Sequence, residues 1–363
     1  MKKLFCITLA LVLMLFSALP AVSAAKTNEY SAAKTAQSIS AVSASTQEKA
    51  GATKNESSRI GGFLSKIWDF IVNIIEKVKS LFQKVNSIDF NPAAAPTDYE
   101  TSVNTGGEIE KTYLAHGKKD VSYFEETTTE KWAKYEIYYP SELKDHNEKY
   151  PVIVVANGSG VRASRYPAVF NHYASWGFIV IGNEHDTAYA GDSADASLAW
   201  LINANDDPDS VFYRKVDLDN VGIVGHSQGG VGTFAAITSQ THSNMYKTAV
   251  SLSPVPEESA RVIHWDYDPA KIQIPVMVLA GTENDTISSD QLAELYSHIG
   301  SDKVTAIRCG MNHPQMLYSA DGYVTAWFMW QLQGDGNAAK AFTGTAPEIL
   351  NNTLYCDQQI HFE

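Results

Sequence analysis

Cysteine is scarce: there are three in 363 residues, and the first, Cys6, lies in the opening apolar run. That leaves Cys309 and Cys356, too few for a cysteine-rich metal site or a disulfide-built scaffold. In an oxidising exterior the pair invites one bridge, but sequence separation does not say whether their Cα atoms meet, and the pairing stays open. Basic charge is also short. Lys and Arg total 28 against 41 Asp and Glu, for a net charge of −13. Such a chain repels phosphate backbones, which excludes nucleic acid as a partner, and it is repelled by anionic surfaces except through a local basic patch. No repeat of fixed period is visible.

Long apolar runs are missing as well. The longest, Leu4 to Leu19, is too short to span a bilayer comfortably. Lys2 and Lys3 precede it, Pro20 breaks it, and Val22-Ser23-Ala24 offers small residues for cleavage. The expectation is an export signal over 1–24 and a secreted protein; an uncleaved membrane anchor is the competing reading. No Cys follows the run, which argues against a lipid-modified N-terminus.

Residues 25–59 are Ala, Ser, Thr, Lys and Gln with few large apolar side chains, and read as a disordered linker. Over 60–90, Leu64, Ile67, Ile71, Ile74, Val78, Leu81, Val85 and Ile88 recur in steps of three and four. This is an amphipathic helix. Three roles remain open for it: packing on the following domain, self-association as a coiled coil, or lying on a membrane or polymer surface. Asn91 to Pro96 marks a boundary, and 97–363 forms the main domain.

That domain alternates strands and helices. "KYEIYYP", "YPVIVVANG", "GFIVIGNEH", "NVGIVG", "YKTAVSLSP", "IPVMVLAG" and "KVTAIRCG" read as strands. Helices are expected near 163–176, 194–204, 228–239, 289–299 and 322–332. Continuous Val/Ile runs between helices mean a mostly parallel sheet covered on both faces, an α/β fold.

In such a sheet, chemistry gathers at the carboxyl ends of the strands. Gly225-His226-Ser227-Gln228-Gly229 fits G-x-S-x-G between a strand and a helix. The turn is so sharp that its flanks tolerate almost no side chain, and it presents a strained, exposed serine hydroxyl. The following helix aims its N-terminal amides at negative charge formed there. A serine needs a base, and the base an orienting carboxylate. Asp285 follows the strand "VMVLAG", with Glu283 as its rival. His313 follows the strand "VTAIRCG" at loop distance, unlike its rivals His298 and His361. The N–H groups of Gln228 and Ser159 are the expected oxyanion donors.

From about Tyr113 to Cys356 the chain resembles the α/β-hydrolase superfamily, and more closely the cutinase-like polyester hydrolases with their dienelactone-hydrolase and chlorophyllase relatives. "VGIVGHSQGG" is similar to their nucleophile elbow, "IPVMVLAGTENDTIS" to their acid strand and "GMNHPQM" to their histidine loop. The resemblance favours Asp285 over Glu283, and Ser227 in place of a cysteine points to the esterase side. It implies a serine carboxylic-ester hydrolase with an α/β-hydrolase fold and no cofactor, acting on short-chain or polymeric esters. Ser159 and Val255 stand where polyester-cleaving relatives carry aromatics. Trp265, Tyr267, His185 and Tyr189 are the candidate substitutes. The acidic stretch "NEHDTAYAGDSAD" reads as a solvated loop rather than a metal site. No insertion long enough for a lid separates the strands. Two other classes remain: a non-catalytic binding protein on the same shell, and an amidase or peptidase using the same triad.

Overall fold

The computed structural model describes residues 95–362. The expected export signal, linker and amphipathic helix over 1–90 lie outside them. Among the described residues no helix is long and apolar enough to cross a membrane.

In chain order the helices are α1 (Tyr99–Ser102), α2 (Glu108–Leu114), α3 (Pro167–Ser175), α4 (Asp192–Asp206), α5 (Gln228–Ser239), α6 (Glu257–Val262), α7 (Ser289–His298), α8 (Asp321–Gln333), α9 (Gly336–Ala339) and α10 (Glu348–Asn351). The strands are β1 (Val121–Thr127), β2 (Lys134–Pro140), β3 (Tyr150–Ala156), β4 (Ile179–Asn183), β5 (Val216–His226), β6 (Tyr246–Leu252), β7 (Val276–Glu283), β8 (Lys303–Asn312) and β9 (Tyr355–His361). They form one sheet in the order β1-β2-β4-β3-β5-β6-β7-β8-β9. From β4 across to β8 the neighbours are parallel; β1, β2 and β9 pair antiparallel.

The apolar runs are buried on both faces, as their continuity requires. Along β3, Ile153 and Val155 join one core and Val152 and Val154 the other. The first core is covered by Phe170 of α3 and by Val324, Trp327 and Phe328 of α8. The second is covered by Leu198 of α4, Phe234 of α5 and Leu292 of α7. This is the α/β-hydrolase fold.

Several elements differ from the sequence reading. The helix expected over 163–176 is a 3₁₀ turn, Ala163–Arg165, followed by α3. Pro167 is the cause. The residue before a proline is pushed out of the α region, and Tyr166 sits at φ −136°, ψ 53°. Asp192 and Asp195 are not loop residues but the first turn of α4, where carboxylates complement the helix dipole. The edge strands β1 and β9 and the short helices α1, α2 and α6 are additions to the sequence pattern. β1 is polar and largely exposed, so it carries no core signal.

Cys309 and Cys356 lie on neighbouring strands β8 and β9 with their Sγ atoms 3.0 Å apart. Burial and the facing Cys309 thiol push the Cys356 thiol up to about 12. In protein purified without reductant, peptide mapping is expected to recover the two linked, and reduction to lower Tm. Two free thiols per chain by Ellman titration would overturn this.

Candidate active site

The strand order sets the location. From β3 the chain crosses to β4 on one side and then to β5 on the other, so the order reverses between β3 and β5. Ligands bind outside the carboxyl ends of strands at such a switch point. The two strands run in register, Ala156 opposite Gly225, so the loop after β3 and the turn after β5 emerge side by side.

Ser227 occupies that turn at φ 60°, ψ −119°, a conformation costly for any residue with a side chain. Its N–H donates to Leu252 O at 2.8 Å, tying the turn to the end of β6. A Cβ at Gly225 would stand 2.1 Å from Gly229 O, and one at Gly229 would stand 2.0 Å from Ala156 O. Both glycines are therefore obligatory: strand, turn and helix pass too close for a methyl group. Gln228 opens α5, so its amide has no intrahelical acceptor. Its side-chain oxygen accepts from Ala188 N at 2.8 Å and pins the loop after β4.

Ser159 is half-buried in the loop after β3. A Cβ at the adjacent Gly158 would stand 3.8 Å from Ser227 Cβ, so this loop lies against the turn. Asn157 anchors it, donating to Asn183 O at 2.6 Å and His185 O at 2.8 Å and accepting from the Tyr166 hydroxyl.

Asp285 lies just beyond β7 and His313 just beyond β8. His313 Nδ1 is 3.0 Å from Asp285 Oδ1, and both side chains are almost fully buried. The carboxylate also accepts from Thr286 N at 2.6 Å, Gly281 N at 2.5 Å and the Ser253 hydroxyl at 2.6 Å. Burial works to raise its pKa. The bond to His313, that ring's charge, and the Ser253 and Gly281 donors outweigh burial and hold the carboxyl below the usual range. An anion fixed in this way holds one imidazole orientation. No hydrogen bond joins Ser227 to His313 among the described residues; such contacts are often loose before substrate binds.

The rivals lie elsewhere. Glu283 is exposed and accepts from its neighbour Thr282. His298 is exposed and pairs with Glu257 at 2.8 Å. His361 sits opposite Lys303, at the other end of β8 from His313.

Two supporting residues escape sequence reasoning. Ser253, at φ 47°, donates to Asp285; its one sequence signal is its place at the end of β6. His226 sits with its ring centroid 4.6 Å from that of His313, and its Nε2 is 2.7 Å from His313 O. Burial, then the adjacent His313 charge, depress His226 to about 3, so it stays neutral and donates to that carbonyl. The linkage has a definite sign. Between about pH 6.5 and 3 the unfolded chain binds a proton that the folded chain refuses, so stability falls as pH falls through that window. His226→Gln keeps an N–H donor without the titration. Its Tm is expected to drop less than that of the wild type between pH 7 and 5. Equal drops would refute the assignment.

Of the four aromatic candidates, Tyr189 and Trp265 come together, stacked at 5.2 Å with 12° between their planes, both half-exposed. Tyr189 follows Ala188, the residue held by Gln228. Tyr267 instead packs on Phe234 of α5, and His185 meets the edge of Trp132.

A serine at a strained strand-to-helix turn, with a buried Asp–His pair two and three strands along, places the chain among the α/β-hydrolases. Residues 101–320 match the family model described as PET hydrolase-like, and the chain belongs to that family. Among curated proteins it is similar to the cutinase est2 of Thermobifida alba, 29% identical over 202 residues, which is 53% of this chain and 61% of that one. Cutinase 2 of Thermobifida cellulosilytica is 27% identical over 158 residues, covering 42% of this chain and 53% of the relative. Cutinase cut1 of Thermobifida fusca is likewise 27% identical, over 43% of its own length. The chain thus spans roughly half the length of the curated relatives it matches.

Proposed function

We propose that this protein is a secreted serine esterase that hydrolyses carboxylic esters, short-chain or polymeric, through an acyl-enzyme on Ser227. The observation that carries the reading is the buried Asp285–His313 hydrogen bond beside a serine in a strained turn. Asp285 holds the imidazole in the tautomer whose Nε2 takes the serine proton, and stabilises the imidazolium that forms. The serine oxygen attacks the ester carbonyl. The N–H groups of Gln228 and Ser159 receive the oxyanion, and each such donor is worth roughly 10²–10³ in rate. His313 then protonates the leaving alcohol, and a water activated by the same ring frees the acid. None of these steps calls for a cofactor.

Membership of the PET hydrolase-like family and similarity to proteins named cutinases support polyesters within the substrate range. The Tyr189–Trp265 stack would serve as the apolar wall that Ser159 and Val255 leave unfilled. Export rests on residues 1–24, and surface attachment or self-association on the helical stripe of 60–90.

Two measurements on the full chain test the reading: initial rates on p-nitrophenyl esters of rising acyl length, and peptide mapping after an organophosphonate. Labelling at Ser227 with ester turnover is expected. A folded protein that takes up no label and cleaves no ester would overturn it in favour of a binding protein.

A further inference from the structure

Away from the proposed active site, three side chains from separate segments converge. Glu100 lies on α1, His116 in the loop after α2, and His172 on α3. One carboxylate oxygen, Glu100 Oε1, stands 3.0 Å from His116 Nδ1 and 2.8 Å from His172 Nδ1. The three potential ligand atoms lie within 4.8 Å of one another. We propose that Glu100, His116 and His172 form a zinc-binding site, with water completing the shell.

The donor chemistry narrows the metal to a borderline transition ion, of which redox-inert Zn²⁺ is the one proposed. Two imidazole nitrogens and one carboxylate oxygen suit Zn²⁺, whereas Ca²⁺ and Mg²⁺ take oxygen ligands. Zinc–ligand bonds of about 2.0–2.2 Å in a tetrahedron put the ligand atoms roughly 3.4 Å apart. The nitrogen–oxygen spacings of 2.8 and 3.0 Å need to open by about 0.4–0.6 Å, and the two imidazole nitrogens, within 4.8 Å of each other, to settle near the same separation.

The surroundings are arranged as a zinc ligand shell requires. His172 is fully buried, and its other ring nitrogen, Nε2, lies 2.9 Å from Thr325 Oγ1 on α8. Without metal, Nδ1–H donates to the Glu100 carboxylate and Nε2 accepts from the Thr325 hydroxyl; a metal at Nδ1 would move that proton to Nε2, which would then donate to Thr325 Oγ1. An outer hydrogen bond of this kind orients metal-bound histidines. A second carboxylate is near: Asp321 accepts the hydroxyls of Tyr99 and Tyr173 at 2.7 Å each, and the Tyr99 ring packs on His172 with centroids 5.9 Å apart. His116 is exposed, which gives the metal a path in and leaves a coordination position open to water. Bound zinc would clasp α1 and the loop after α2 onto α3.

The test uses the full chain, stripped with chelator and exchanged into chelator-free buffer. ZnCl₂ titration is followed by calorimetry and thermal melting, and CoCl₂ by visible absorption. Wild type is expected to bind one Zn²⁺ saturably with a rise in Tm, and to show the intense bands of four-coordinate Co²⁺. His116→Ala, an exposed and structurally mild change, and Glu100→Gln are expected to weaken binding at least ~10-fold. His298→Ala, which removes the histidine of the exposed His298–Glu257 pair, is the control expected to leave binding unchanged. No saturable binding by wild type, or equal binding by His116→Ala, would overturn the site. None of these readouts depends on ester hydrolysis.

Discussion

Ser227→Ala is expected to lower kcat on a p-nitrophenyl ester by a factor on the order of 10⁶ while leaving the fold intact. The loss is this large because in the proposed mechanism the serine oxygen forms the acyl bond, and no neighbouring group replaces it. What would remain is binding and oxyanion stabilisation by the proposed Gln228 and Ser159 donors. Alanine tolerates φ 60° no worse than serine does, so Tm is expected to move little. Asp285→Asn should cost about 10⁴, because its amide favours the wrong imidazole tautomer. The double variant should be no worse than Ser227→Ala alone, since the residues act as a unit. Rates for the three purified variants, with circular dichroism as the folding check, decide this. Activity within tenfold of wild type in Ser227→Ala would remove Ser227 as nucleophile.

Glu110→Gln is expected to destabilise the protein by about 3–5 kcal/mol, among the largest single-site effects away from the active site. Glu110 and Arg308 are each 1% exposed and pair at 3.0 Å. The carboxylate also accepts from Tyr355 OH at 3.1 Å, Asn352 Nδ2 at 2.7 Å and Gly106 N at 2.7 Å. Arg308 donates further to Asn104 O and lies over the Tyr355 ring at 4.6 Å, while its Nε has no hydrogen-bond partner among the described residues. The guanidinium is thus desolvated and depends on Glu110 for its counter-charge. Neutralising that one group strands a buried cation. The network also ties α2 to β8 and β9, so its failure should loosen both chain ends of the described domain. Glu110→Leu combined with Arg308→Met removes both charges and should recover much of the loss, because the desolvation cost disappears with them. Thermal and urea melts of the single and double variants measure it. A double variant as unstable as the sum of its single changes would refute the account.

The elbow was legible in the sequence because its constraint is local. A strand ending on Gly225 and a helix starting at Gln228 leave one geometry for Ser227, and the close approach of Gly229 O and Ala156 O explains both glycines. The α/β alternation was legible for the same reason, since continuous Val/Ile runs are strands buried on both sides. Chain order and strand ends sufficed to nominate Asp285 and His313. Other features depend on residues far apart in sequence that only packing brings together. Nothing near Ser253 or His226 announces that one steadies Asp285 and the other the His313 backbone. The polar strand β1 and the short helix α2 carry little hydrophobic signal, and α2 is held by an ion pair 198 residues away. Glu100, His116 and His172 share no motif spacing, and they meet because three separate segments pack together there. Short-range sterics and periodicity are written along the chain. Long-range electrostatics and ligand geometry exist only once the sheet and its helices bring distant segments together.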